Sequence, residues 1–145
     1  MNPWDAVDDP RRAICVDCEM IMCEGSKQPT LARVAILDVH DESVLLDAYA
    51  ASPAPVVDYL TRYSGIRAKD LEGAPPFDEV RRKVVELVNG RPLVGHGISS
   101  DLRALRLEHP PELVVDTQDL EWGAGQRKGL KFLSLDMLGE AIQRT

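Results

Sequence analysis

Asp17 and Glu19 stand two residues apart in the stretch Ile14-Cys15-Val16-Asp17-Cys18-Glu19-Met20. In an extended strand that spacing sends both carboxylates to one face, with Cα atoms roughly 6.7 Å apart. Two acids aimed the same way repel each other unless something positive lies between them. A hard divalent cation such as Mg²⁺ meets that need, because it prefers carboxylate oxygens. The alternative is a partly exposed strand whose acids are solvated, the usual state of charged side chains.

A second acid belongs to Gly95-His96-Gly97-Ile98-Ser99-Ser100-Asp101-Leu102. A strand ending in Gly-His-Gly and running into a helix capped by Ser99 or Ser100 puts Asp101 in the first helical turn. Ligands bind at the carboxyl ends of parallel strands in α/β sheets, where this loop falls. Asp101 is therefore placed to reach the same metal centre as Asp17. Its alternative use is to favour the helix N-terminus through the macrodipole. The cysteines, Cys15, Cys18 and Cys23, have a spacing that invites zinc. Strand alternation opposes that reading by sending Cys15 and Cys18 to opposite faces. Free thiols in a reducing compartment are the default for such an odd set.

These residues need elements to hold them. Residues 1–12 are polar and read as a lead-in, and 13–20 as a first strand with Ile14, Val16, Cys18 and Met20 on its apolar face. Strands over 31–38 and 43–50, joined by His40-Asp41-Glu42, form an antiparallel hairpin. The stretch 51–57 is extended and 58–76 is mostly loop. Val80, Val84, Leu87 and Val88 recur at helical spacing over 77–89, and Gly90 ends that helix. A strand over 91–95 runs parallel to the first, because a helix precedes it. The helix carrying Leu102, Leu105 and Leu107 stops before Pro110, a fifth strand covers 112–117, and a final helix covers 130–142. The order β-β-β-α-β-α-β-α is a mixed α/β sheet: a three-stranded antiparallel meander plus two parallel strands, five in the order 3-2-1-4-5, with flanking helices.

The 145 residues, 44% hydrophobic, suit one domain. No apolar run approaches the roughly 20 residues of a membrane helix, and no signal peptide opens the sequence. A soluble intracellular domain is the expectation. Against 17 Lys and Arg stand 24 Asp and Glu, a net charge of −7, unlike the basic surface of most nucleic-acid binders. Acids that hold metal ions weaken that objection, since the ions invert the local field.

Taken together, Asp17-Cys18-Glu19-Met20, Leu31-Ala32-Arg33-Val34, the stretch Pro55 to Ile66, Leu93-Val94-Gly95-His96, Asp101 to Leu105, and Val114-Val115-Asp116-Thr117 resemble the DEDDh group of 3′–5′ exonucleases, specifically the eukaryotic RNA exonucleases. The resemblance spans roughly 13–143, and Leu130 to Gln143 is similar to the family's penultimate helix. It implies an RNase H-like fold and a two-metal phosphoesterase using Mg²⁺ or Mn²⁺. Asp17 would bridge both ions, Glu19 would hold the one on the nucleophile side, and Asp101 would support the other. Backbone groups near Met20 and Ile21 would touch the terminal nucleotide, with His96 and Arg103 as further substrate contacts. The implied substrate is the 3′ end of single-stranded RNA or DNA, and the implied location is the nucleus or nucleolus.

The family's third motif, a His followed five residues later by Asp, belongs to a last helix beyond the penultimate one, and the sequence stops at Ile142-Gln143-Arg144-Thr145, before that helix is expected to begin. The domain, 13–145, is therefore expected to be truncated before its last helix, without the usual general base or fourth carboxylate. His96 matches a family position that is not the base, and His40 and His109 read as structural or solvated. Asp116 is expected about 10 Å from the first strand, capping a turn through Thr117 and Gln118. Asp136 and Glu140 read as a solvated helix face. Among the cations, Arg103 and Arg106 suit phosphates, Arg127, Lys128 and Lys131 form another basic group, and Arg81-Arg82-Lys83 reads as a solvated face. The competing function is a catalytically inactive fragment or pseudoenzyme that binds nucleic acid or a protein partner.

Overall fold

The computed structural model describes residues 12–119. The elements follow the order β1 (Ile14–Cys23), β2 (Thr30–Asp38), β3 (Val44–Tyr49), β4 (Val56–Asp58), α1 (Thr61–Ser64), α2 (Phe77–Val88), β5 (Leu93–Gly95), α3 (Ile98–Ala104) and β6 (Val114–Asp116). Residues 1–11, the helix expected over 130–142 and the basic group at 127–131 lie outside the described residues. Arg12 is tied down: its carbonyl accepts from Arg91 Nε at 2.8 Å, and its own Nη2 donates to Gly90 O at 3.3 Å.

The sheet order is β3-β2-β1-β5-β6, as the element order implied. β1, β2 and β3 form the antiparallel meander, and β5 and β6 add parallel to β1. One strand is additional. The segment expected merely to be extended reaches the far end of β1 as β4, pairing Asp58 with Met22 and Val56 with Cys23. The β2–β3 turn is fixed by Asp38, whose carboxylate accepts from the backbone N–H of His40 at 2.8 Å and of Asp41 at 3.1 Å. Asx turns of this kind make the connection tight.

Alternation along β1 sets the two sheet faces. Ile14, Val16 and Cys18 join Leu31, Val34 and Ile36 beneath Val80, Val84 and Val88 of α2 and Ile98 and Leu105 of α3. The opposite face carries two smaller apolar clusters, Ala13 with Val94 and Val115, and Ile21 with Cys23, Ala32 and Ile66. Asp17 and Glu19 emerge between them by strand parity. A register shift follows Glu19: Glu19 pairs with Arg33, but Met20 pairs with Leu31, leaving Ala32 as the extra residue. Such bulges twist a strand and re-aim its side chains.

Both ends of α3 differ from expectation. Gly97, at φ 66°, rather than Ser99 or Ser100, is the N-cap, and no side chain of the helix itself caps it. The helix ends at Ala104, three residues before Leu107. Leu107 N–H donates to Leu102 O at 2.9 Å and Arg106 N–H to Arg103 O at 3.0 Å. This pair is a Schellman closure, in which the residue after the C-cap takes a left-handed backbone, usually as glycine. Here Arg106 occupies it at φ 50°.

Candidate active site

β1 presents Asp17 and Glu19, both half-buried, and α3 presents Asp101, which is only 6% exposed. The three act on one another electrostatically. Burial first, then the charges of Asp17, Glu19 and Asp116, push the Asp101 carboxyl up from 3.8 to about 8. Burial and then Asp17 raise Glu19 from 4.5 to about 7, with Arg33 opposing. Among the described residues no group donates a hydrogen bond to the Asp101 carboxylate. Buried polar side chains almost always have a partner, so a carboxylate like this one is suited to an ion from outside the chain.

Arg33 lies opposite Glu19 in the β1–β2 register. It is not free to neutralise the acids, because Nε and Nη2 donate to the two oxygens of Asp47 at 2.8 and 2.7 Å. The fork-to-fork pairing holds the Asp47 carboxyl below its ordinary value. Arg33 also stacks over the Tyr49 ring at 5.5 Å. Its guanidinium thus closes one side of a cleft of about 450 Å³ lined by Asp17, Glu19, Asp47, Tyr49, Ser64 and Gly65. The sequence singled Arg33 out only as part of a motif, and its partner Asp47 carries no local signal.

The N-terminus of α3 is held from the neighbouring strand. Asp116 accepts from Gly97 N–H at 2.9 Å, Ile98 N–H at 3.2 Å and Gln118 N–H at 2.9 Å. The turn through Gln118 was expected; the grip on α3 was not. The parallel register of Gly95 with Asp116 makes it possible. Asp116 therefore orients the first turn, and with it Asp101, while adding negative charge.

His96 is half-buried, with Nδ1 3.2 Å from the Thr117 hydroxyl, which itself donates to Gly95 O at 3.2 Å. His96 does not line the cleft that holds Asp17 and Glu19. His109 lies 2.7 Å from Arg91 O through Nε2, a structural placement. Met20 packs at the edge of the helix-side core, while Ile21 is fully buried in the other face, so only its backbone is available to a ligand. Arg103 is exposed and lines a different cleft from Asp17 and Glu19.

Cys15 and Cys18 are buried free thiols beside the acids. Burial, Asp17 and Asp101 push Cys15 up to about 12, and burial and the same acids raise Cys18 well above its ordinary value. Both are thereby held as thiols, the form that is the poorer nucleophile. Among the described residues no three His, Cys, Asp or Glu side chains form a ready-made metal cage. The donor set nevertheless fits a hard divalent ion: oxygens only, mutually repelling, with the nearest arginine engaged elsewhere.

Comparison with known proteins sets this geometry in context. The chain resembles RNA exonuclease 4 of Cryptococcus neoformans, 41% identical over 140 residues covering 93% of this chain and 34% of the relative. The human RNA exonuclease 4 is 36% identical over 138 residues, 92% of this chain and 32% of the relative. The chain thus spans about a third of the length of these curated relatives. In structure it is similar to the Neurospora crassa Pan2 catalytic unit, with TM-score 0.74 and 28% identity over 94% of this chain and 24% of that one. It is also similar to the Saccharomyces cerevisiae Pan2 module in complex with AAGGAA RNA, with TM-score 0.71 and 26% identity over 92% of this chain and 25% of that one. The RNase_T family, described as Exonuclease, matches residues 14–121 and so takes in both carboxylate-bearing elements. With that match and these relatives, the chain belongs to the exonuclease family, in the DEDDh-type branch its motifs resemble.

Proposed function

We propose that this chain is a divalent-metal-dependent 3′–5′ exonuclease domain acting on single-stranded RNA. The observation that carries the reading is the electrostatically coupled set of half-buried Asp17 and Glu19 on β1 and buried Asp101 on α3, in an exonuclease fold. Asp17, Glu19 and Asp101 would hold Mg²⁺ or Mn²⁺. When bound, such ions activate the attacking water and stabilise the leaving 3′ oxygen. The chain's own contribution is positioning. Asp116 fixes the helix that carries Asp101, and the backbone of Met20 and Ile21 would meet a terminal nucleotide. The names of the relatives and the RNA in the Pan2 complexes favour RNA as substrate. Three free cysteines suit a reducing, intracellular setting.

The test is a nuclease assay with 5′-labelled single-stranded RNA and Mn²⁺. Products should shorten from the 3′ end, vanish with EDTA, and vanish in Asp17→Ala while that variant keeps its circular dichroism and melting transition. Undiminished cleavage by folded Asp17→Ala would overturn the assignment.

A second reading, a non-catalytic binder of nucleic acid, is favoured by the histidines. None of the three is seen to serve as a base at the acids: His96 is tied to Thr117, His109 lies on Arg91 O, and His40 is exposed at the β2–β3 turn. General bases act within about 3 Å of the water or through one relay. RNA that is bound but left intact would establish this second reading.

A further inference from the structure

β2 carries Arg33 across from the acids of β1, and the registers on its two sides define what surrounds it. Glu19 on β1, Arg33 on β2 and Tyr49 on β3 stand in one row, and Asp17, Ala35 and Asp47 stand in the next. Arg33 and Ala35, two apart on one strand, share a face. Both rows line the cleft that holds the acids. One cation is thus set among three carboxylates. Glu19 is directly opposite it on β1, and Asp17 and Asp47 are its two diagonals, within reach of a long side chain. Ala35, between those diagonals, has too small a side chain to block either path.

Arg33 takes the β3 diagonal. Nε and Nη2 donate to the two Asp47 oxygens at 2.8 and 2.7 Å, and the guanidinium lies over the Tyr49 ring, 5.5 Å from its centroid. Both holds come from β3. The guanidinium has N–H donors to spare, yet among the described residues its one ion pair is with Asp47. Glu19, its direct neighbour in the register, is in no ion pair there.

An arginine and a divalent cation compete for the same carboxylate oxygens, and a guanidinium fork takes both oxygens of a carboxylate at once. Arg33 and Glu19 already attract each other. With Asp47 removed, the carboxylates left beside Arg33 in the two rows are Glu19 and Asp17. Stability alone explains the Arg33–Asp47 pair poorly. Its side chains are 31% and 42% exposed, and exposed ion pairs contribute little to folding.

We infer that Asp47 is a positioning residue: it holds the Arg33 guanidinium against β3 and so keeps Glu19 and Asp17 open to a divalent ion. Its role is exerted through Arg33 and not on the ion itself. The inference rests on the reading of Asp17, Glu19 and Asp101 as the holders of that ion.

The experiment titrates Mn²⁺ into the whole chain and follows free Mn²⁺ by electron paramagnetic resonance, so that affinity is read without activity. Wild type, Asp47→Ala, Arg33→Met and the double variant form a double-mutant cycle. Asp47→Ala should weaken Mn²⁺ binding about fivefold, the competition that an ion pair of this exposure offers. In the Arg33→Met background the same change should have no effect, because no guanidinium is left to swing toward the acids. Melting in EDTA checks that each variant is folded, and Asp47→Asn takes the place of Asp47→Ala if the latter is not. Unchanged affinity in Asp47→Ala would overturn the inference. So would an equal loss in both backgrounds, which would mean that Asp47 acts by its own charge or through the fold. If wild type binds no Mn²⁺, the metal reading fails and the inference with it. If wild type binds Mn²⁺ and the cycle shows no coupling, only the inference fails.

Discussion

The carboxyl of Asp101 is held near neutrality by where it sits. Its folded value, about 8, lies above the ordinary 3.8, so the protonated form is the one the metal-free fold favours. Stability from this group is complete below about pH 4, declines progressively above it, and is fully lost once pH has risen through the folded value. Asp101→Asn removes that dependence by leaving no charge to desolvate. In EDTA, urea melts should therefore show Asp101→Asn gaining on wild type progressively as pH rises from about 4, where the gain is little or nothing, to about 8, where it is complete. A constant difference across that range would show that the burial carries no such penalty. The same residue shows what a sequence can reveal. Asp17 and Glu19 are legible because a period of two forces them onto one face. Asp101 is legible because a helix start after a parallel strand is a known place for ligands. Asp116 was only half legible: its turn is local, but its hold on Gly97 and Ile98 depends on a strand register that no local pattern encodes.

At the scale of elements, α3 is short, seven residues, and is clamped at both ends by other elements. Asp116 takes its first N–H groups and Arg81 takes carbonyls at its close. A helix this short has little stability of its own, so the clamps decide whether Asp101 is presented in one orientation. Arg81→Ala should cost about 1–3 kcal/mol in denaturant melts, the range for charged hydrogen bonds left unmade. A change within error would mean that water replaces the guanidinium without loss. Sequence periodicity located α2 and its end at Gly90 correctly, because Val80, Val84 and Val88 mark one buried face. It misjudged Arg81 as part of a solvated run with Arg82 and Lys83. The latter two are exposed, and Arg81 differs only because the end of α3 lies across from it. A charge run looks uniform in sequence, whereas the contacts that separate its members are tertiary.

For the whole molecule, the metal site proposed on β1 and α3 would couple metal binding to folding. An ion bound by the native state and not by the unfolded chain stabilises by mass action, about 2.7 kcal/mol at a hundredfold excess over Kd. Mn²⁺ should raise the melting temperature saturably, and Asp17→Ala should abolish the shift. An identical rise in that variant would locate the ion elsewhere. The sheet order was readable because short links demand antiparallel neighbours and helical crossovers demand parallel ones. The strand at 56–58 was not, since its three residues have too little pattern to announce a partner. The placement of β1 at the centre has one more consequence, for assembly in time. Its pairing with β2 closes within one hairpin, whereas its pairing with β5 joins Ile14 to Leu93. Contacts between residues far apart in the chain pay their loop-closure entropy before they are rewarded. The meander, with Asp17 and Glu19 already on one face, can therefore assemble from the first fifty residues alone. Asp101 joins them only after the distant parallel strand docks, which makes completing the acid set a late event in folding.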